Sequence, residues 1–154
     1  MSIPRLAFVL LVAAGCAGGG APRPAPSLDI TFAPSLDIEL DSMRRQPSGL
    51  WIRDYTIGDG PPITAGDKVG VRYNVHLTDG TRVDGTNPDS GNYEFTFGRG
   101  QVIKGWDDGM LGMRVGGRRQ LIIPPAMGYG FRRWGLIPSN STLVVSIHLV
   151  ELIR

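Results

Sequence analysis

The stretch Gly98-Arg99-Gly100-Gln101-Val102-Ile103-Lys104-Gly105-Trp106-Asp107-Asp108-Gly109 joins an extended apolar segment to a tryptophan flanked by glycines. Ile103, Trp106 and Met110 follow one another at spacings of three and four residues, which places them on one face of a helix. Gly112 and the glycines after it predict that this helix is short. The stretch therefore predicts one short helix with Trp106 on its buried side.

Two features of this stretch could indicate other chemistry. Asp107 and Asp108 are adjacent, so on a helix they point in different directions and form a poor acid/base pair. We expect both carboxylates to face solvent. Gly98-Arg99-Gly100 begins like a dinucleotide-binding loop, but the third glycine is misplaced and no long helix follows. We interpret it as a turn.

Segments with apolar residues at every second position lie on both sides of this helix in the chain, a period typical of half-buried β-strands. The residues that carry the pattern are Leu50, Ile52, Tyr55 and Ile57; Val69, Val71, Tyr73, Val75 and Leu77; Tyr93, Phe95 and Phe97; Arg119, Leu121 and Ile123; and Leu143, Val145, Ile147 and Leu149. They predict an α+β fold in which an antiparallel sheet buries one side against one short helix.

Composition excludes several function classes. The 154 residues, with 22 glycines, 12 prolines and 19% charged residues, favour one turn-rich β domain over a helical bundle. The net charge of +2 comes from scattered arginines, which argues against nucleic-acid binding. His76 and His148 lie on polar strand faces without partners at ligand spacing, so we expect no metal site. No serine lies in a nucleophile elbow, so a hydrolytic triad has no support.

The first residues predict export. Arg5 and the apolar run at 6–14 are typical of a secretory signal peptide and too short to span a bilayer. Gly15-Cys16 follows like a bacterial lipobox, so we expect a signal peptide over residues 1–16 and a lipidated Cys16 that anchors the protein to a membrane. The alternative is ordinary cleavage that leaves a free thiol.

Residues 17–48 contain five prolines and few large apolar groups, which predicts an extended tether. The hexapeptide Ala-Pro-Ser-Leu-Asp-Ile at residues 25–30 recurs at residues 33–38. We interpret the repeat as a slipped copy within a spacer; a peptide that binds a partner is the alternative. Two copies do not make a repeat architecture.

The remaining notable residues are aromatic side chains next to glycines. Trp106 follows Gly105, and Tyr129 lies between Gly128 and Gly130. Glycine-flanked aromatic residues are typical of the floor and lid of a cleft, although a plain core would also use them. The residues predict an apolar pocket without a nucleophile or base.

Several blocks in this order and spacing resemble the FKBP-type peptidyl-prolyl cis-trans isomerases, specifically a bacterial secreted or lipoprotein form. The blocks are residues 100–109, Val115-Gly116-Gly117-Arg118-Arg119, Ile123-Pro124-Pro125, Gly128-Tyr129-Gly130, Ile137-Pro138 and Thr142-Leu143-Val144. The resemblance implies an isomerase domain over residues 49–154, with a curved antiparallel β-sheet wrapped around one short α-helix.

The resemblance also implies roles for residues of a proline pocket. Trp106 would lie under the proline ring, and the Ile103 N–H and the Tyr129 hydroxyl would bond substrate carbonyls. Asp84 would be the polar group beside the twisting amide. The other substrate-binding residues would be Tyr73, Val83, Tyr93, Phe95, Val102, Leu136 in an overhanging loop, and Val145. Val83 and Val145 stand where the family usually has Phe, and Trp134 either refills this volume or rests on the surface.

Rotation of an X-Pro bond needs no proton transfer, covalent step or cofactor, so an apolar pocket suits it. We expect a lipid-anchored isomerase acting on X-Pro segments of unfolded or folding proteins in the periplasm or on the membrane of a bacterial cell envelope. We also expect weak binding of macrolide inhibitors. A catalytically weak proline-peptide-binding or chaperone module is the main alternative, motivated by Val83 and Val145. A purely structural envelope lipoprotein is the third.

Overall fold

Seven strands and one α-helix form the regular structure of residues 28–153, the part of the chain that the computed structural model describes. The elements are β1 (Arg44–Arg45), β2 (Trp51–Thr56), β3 (Lys68–Leu77), β4 (Arg82–Gly85), β5 (Tyr93–Thr96), α1 (Lys104–Gly109), β6 (Arg118–Ile123) and β7 (Leu143–Ile153), with 3₁₀ turns at Pro34–Leu36, Leu40–Ser42 and Pro125–Met127. The predicted signal peptide and Cys16 lie outside the described residues. Within residues 28–153, no helix has the length and hydropathy needed to cross a membrane.

One antiparallel sheet contains all seven strands, in the order β1-β2-β6-β7-β3-β4. The strand β5 also pairs with β3, so β4 and β5 share its outer edge. Because Val75 lies opposite Asp84 and Val71 opposite Tyr93, Asp84 and Tyr93 lie on this edge on either side of the position of Tyr73. The predicted α+β class, a curved antiparallel sheet with one short helix, is confirmed.

The helix α1 packs closely on one face of the sheet, here called the inner face. A Cβ at Gly105 would lie 2.5 Å from Ile123 Cγ2, and one at Gly109 would lie 2.5 Å from Leu121 Cδ1. Only glycine allows this approach, which accounts for the two glycines that flank the Trp-Asp-Asp segment. Trp106 is thereby pressed against the inner face and is 5% exposed.

Arg119 is a charged residue at an inward position of β6, and it is 6% exposed. Its Nε and Nη2 donate to the two carboxylate oxygens of Asp54 at 2.6 and 3.1 Å. Its Nη1 donates to the carbonyls of Gly109, the last residue of α1, and of Leu111 just beyond it. Arg119 therefore satisfies the open carbonyls at the end of the helix and fixes it to the sheet.

Residues 28–43 cover part of the opposite, outer face of the sheet. Met43 is buried and packs, with Leu28, Phe32, Ile38 and Leu40 around it, over Trp51 and Ile122, and Leu36 is also buried in this segment. The Gln120 amide nitrogen donates to the Leu36 carbonyl at 2.8 Å. The prediction of an extended tether is therefore wrong for the described part of residues 17–48. The apolar groups there are sparse, but the outward Trp51 and Ile122 give them a surface to bury.

Candidate active site

A cavity of about 470 Å³ opens between the inner face, the start of α1 and the loop before β7. It combines residues from β3, β4, β5, α1, β7 and two loops. The lining residues are Tyr73, Val75, Asp84, Tyr93, Gly100, Gln101, Val102, Ile103, Trp106, Tyr129, Trp134, Ile137 and Leu143.

The aromatic rings of Tyr73, Tyr93 and Trp106 form the floor and one wall of the cavity, and the ring of Phe95 packs behind them. The Tyr73 ring meets Trp106 edge to face, with centroids 4.8 Å apart and an interplanar angle of 80°. Tyr93 and Phe95 meet the same indole edge to face at 6.4 and 6.0 Å. Such pairs are each worth about 0.5–1.5 kcal/mol beyond the area they bury. The contacts fix the indole in place, so the cavity has a preformed apolar floor.

Asp84 is the only carboxylate among the lining residues, and two donors hold it. The Tyr73 hydroxyl donates to Asp84 Oδ2 at 3.2 Å, and the Gly85 N–H donates to Oδ1 at 2.7 Å. Burial, followed by the charge and hydrogen bond of Asp84, raises the pKa of Tyr73 to about 12. Tyr73 therefore keeps its proton at physiological pH and orients the carboxylate.

Three further donors belong to residues that line the cavity. Among residues 28–153, the Ile103 backbone N–H and the hydroxyls of Tyr93 and Tyr129 have no acceptor. Burial, with the nearby Asp84 and Tyr93, raises the pKa of Tyr129, so its hydroxyl also remains protonated. The cavity can therefore donate hydrogen bonds to the carbonyls of a bound peptide.

The position of Asp107 differs from the solvent-facing one that the sequence predicted. Its two oxygens accept the N–H groups of Gly98 and Gly100, each at 3.0 Å. Both glycines have positive φ, so the predicted turn is formed and Asp107 ties it to the helix. Asp107 thus supports the loop that carries Val102 and Ile103 to the cavity.

Four predicted substrate contacts lie outside the lining. Phe95 lies behind Tyr93 and Trp106. Val145 is fully buried, because it lies between Val75 and Leu121 in the sheet. Val83 borders a shallow depression on β4, and Leu136 is 69% exposed. Phe95 and Val145 are therefore closed to a ligand, which corrects their assignment to the cavity wall, while the roles of Val83 and Leu136 stay predictions.

Some lining residues were not predicted from the sequence. Val75 carries the same inward phase as Tyr73, so alternation could have identified it. Ile137 belongs to an Ile-Pro block that the resemblance had already marked. Trp134 stacks on Tyr129, with centroids 5.5 Å apart and an interplanar angle of 9°. This contact extends the aromatic wall toward solvent, since Trp134 remains 62% exposed.

Comparisons with known proteins all match the same family. The family model of the FKBP-type peptidyl-prolyl cis-trans isomerases matches residues 60–150. The FK506-binding protein 4 of Mycosarcoma maydis is 49% identical over 106 residues, which cover 69% of this chain and 28% of the relative. This chain spans between 21% and 28% of the length of such fungal relatives.

Solved structures agree with this result. AtFKBP13 superimposes with a TM-score of 0.69 at 33% identity, covering 72% of this chain and 98% of that one. A peptidyl-prolyl cis-trans isomerase from Pseudomonas syringae gives a TM-score of 0.65 at 29% identity, covering 73% and 82%. On these matches in sequence and fold, the chain belongs to the FKBP-type peptidyl-prolyl cis-trans isomerase family.

Proposed function

We propose that this chain catalyses the cis-trans isomerisation of X-Pro bonds in polypeptides. The observation that carries the proposal is the preformed apolar cavity over Trp106, with hydrogen-bond donors but no nucleophile around it. The uncatalysed rotation faces a barrier of about 18–20 kcal/mol, because amide resonance is lost in the twisted state. The site needs only to bind that twisted state better than the planar one.

The side chains of the cavity suit this task. A proline ring on the Trp106 indole is surrounded by Tyr73 and Tyr93, which exclude water from the amide. The twisted amide is less polar than the planar one, so an apolar surrounding favours it. Donation from the Ile103 N–H and the Tyr129 hydroxyl to the flanking carbonyls holds the peptide while the bond rotates. Asp84, held by Tyr73, provides a fixed charge beside the amide.

The test is the conversion rate of Leu-Pro and Phe-Pro peptides, measured by NMR exchange with the full chain. We expect a rate well above the uncatalysed one, and inhibition by FK506, because the fungal relatives are named for binding it. Asp84→Asn should lower kcat/KM severalfold, whereas Asp108→Asn on the exposed side of α1 should not. A wild-type rate equal to the uncatalysed one would contradict the proposal.

A second candidate is a proline-peptide-binding or chaperone module with weak turnover. It is favoured by the valines at positions 83 and 145, where the family usually has Phe. Suppression of the aggregation of an unfolded protein, without faster X-Pro conversion, would support this candidate.

We further propose that the chain is exported and lipid-anchored, and that its clients are unfolded or folding proteins of a bacterial cell envelope. This rests on the leader sequence alone, namely Arg5, the apolar run at 6–14 and Gly15-Cys16. Expression of the full chain in a bacterium with a labelled fatty acid is the test. The label should enter the wild type but not Cys16→Ser; equal labelling, or none in either protein, would contradict the proposal.

A further inference from the structure

The outer face of the sheet contains a second concave region, a groove of about 790 Å³ that does not open into the aromatic cavity. Residues 28–43 cover the end of this face that carries Trp51 and Ile122. The other end is open and lined by basic side chains. We call it the arginine groove and define it by Arg72, Arg82, Arg118, His76 and His148.

Strand register places three of these residues side by side. Arg72 of β3 lies opposite His148 of β7, which lies opposite Arg118 of β6. Neighbouring strands are about 4.8 Å apart, so the two arginine Cα atoms are separated by about 10 Å. Basic residues directly opposite each other repel, and a row of them destabilises a sheet unless a counter-charge is present.

No such counter-charge is paired with the arginines of the groove. Within residues 28–153, Arg72, Arg82 and Arg118 form no ion pair, whereas Arg53 and Arg119 each do. Arg72 donates to the Asn92 side-chain oxygen, and Arg82 donates to the Thr86 carbonyl.

The Asn92 side chain that accepts from Arg72 is itself bound to an acidic residue. Its amide donates to Glu151 at 2.6 Å, and Glu151 is not among the residues that line the groove. The guanidinium charges of Arg72, Arg82 and Arg118 are thus available to a ligand.

The two histidines of the groove lie beside the same arginines. Burial, and then the charge of Arg82, lowers the pKa of His76. Burial, and then Arg118 and Arg72, lowers the pKa of His148. Both histidines are therefore neutral near pH 7, and the positive charge of the groove at that pH comes from the arginines.

We propose that the arginine groove binds an acidic segment of a partner polypeptide in extended conformation. Carboxylates on one side of an extended chain recur about every 7 Å, a spacing that lets successive ones meet Arg72 and Arg118. The guanidinium fork binds carboxylates bidentately. A single phosphate would contact only one end of the row formed by Arg72, His148 and Arg118. A peptide with several carboxylates is long enough to reach both arginines. Exposed Tyr55 and Pro88 border the groove and offer apolar contact to such a chain.

The position of the groove separates it from the aromatic cavity. Tyr73 faces the cavity, while its neighbours Arg72 and Asn74 face the groove on the other side of β3. A partner in the groove therefore leaves the cavity free, and binding there is independent of turnover.

The test is fluorescence anisotropy with a labelled peptide of alternating Glu and Ser, added to the full chain at low salt. We expect saturable binding that weakens about tenfold or more in Arg72→Gln/Arg118→Gln. The matched pair Arg44→Gln/Arg114→Gln removes the same charge outside the groove and should change binding less than about twofold. Turnover of a Leu-Pro peptide should be equal in all three proteins.

Several results would overturn the proposal. They are no binding of the acidic peptide, equal losses in the two arginine pairs, or equal binding of a Gln/Ser control peptide. A single-stranded oligonucleotide that binds more tightly than the peptide and depends on the same arginines would also overturn it. If Arg72→Gln/Arg118→Gln lowers the melting temperature, the single variant Arg82→Gln replaces it, and we expect about a threefold loss of peptide affinity.

Discussion

The inner and outer faces of the sheet each bury a tryptophan, and they do so by different means. Trp106 is 5% exposed and is held by α1 and by aromatic rings from neighbouring strands. Trp51 is 2% exposed and is covered by residues 28–43, which precede the segment that matches the family. The inner face is thus built by the family domain itself, while the outer face is completed by a flanking segment. The difference teaches that the outer face can be specialised without changing the cavity.

The largest expected effect is at the inner-face contact between Arg119 and the end of α1. Arg119→Met leaves Asp54 and two carbonyls without their partner, so the free energy of unfolding should fall by about 3–5 kcal/mol. Urea denaturation measures this free energy in the wild type and the variant. The neighbouring Arg118→Met is the control, since Arg118 is exposed and unpaired among the described residues. Equal losses in the two variants would contradict the structural role of Arg119.

The corresponding test of the outer face is Leu36→Ala. Leu36 is 7% exposed in the segment that covers this face, and its carbonyl accepts from the buried Gln120 amide, so its truncation should cost about 2–3 kcal/mol of unfolding free energy. Turnover should stay within about twofold of wild type, because the cavity is on the other face. Ile57→Ala, at a side chain 77% exposed, is the control and should change neither quantity. A large loss of turnover in Leu36→Ala would show that the two faces are coupled.

A smaller effect is expected from Tyr73→Phe. The change keeps the ring against Trp106 but removes the hydrogen bond to Asp84, so kcat/KM should fall about three- to tenfold. Tyr55→Phe removes a hydroxyl on the outer face and should leave kcat/KM unchanged. Peptide isomerisation rates measure both. Unchanged turnover in Tyr73→Phe would mean that the orientation of Asp84 is unimportant.

The smallest expected effect is the pH dependence of stability that comes from two histidines on the outer face. The pKa values of His76 and His148 are lowered from 6.5, so the unfolded chain takes up protons at higher pH than the folded one. Their contribution to stability is complete above about pH 6.5 and is lost as pH falls through the lowered pKa values. In an NMR titration, Arg118→Gln should raise the pKa of His148, whereas Arg114→Gln should not. An unchanged pKa of His148 in Arg118→Gln would contradict the claim that the charge of Arg118 lowers it.

Much of the inner face could be predicted from the sequence. Alternation identified the inward phase of β3 and β7, and the spacing of Ile103, Trp106 and Met110 identified the helix. These patterns repeat over several residues, which is why they are readable. They did not show that Phe95 and Val145 lie outside the cavity. A period of two gives the face on which a side chain lies, but not whether a helix or a cavity covers it.

The contacts that the sequence did not reveal depend on partners distant in the chain. Arg119 is explained by Asp54, which lies 65 positions away. Met43 is buried because it packs on Trp51 and Ile122, and no periodic pattern marks it as buried. Asp107 binds backbone groups of a glycine turn, whose geometry follows from positive φ angles that a sequence does not state. Such contacts depend on the three-dimensional fold and are not visible in a local sequence pattern.

The most direct test of the central claim compares the two buried tryptophans. Trp106→Leu and Trp51→Leu are the same change on opposite faces, and kcat/KM for a Leu-Pro peptide is measured where circular dichroism shows both variants folded. We predict that Trp106→Leu lowers kcat/KM by about tenfold or more, while Trp51→Leu stays within about twofold of wild type. Equal losses in both variants, or full activity in Trp106→Leu, would contradict the assignment of the inner-face cavity as the site of isomerisation.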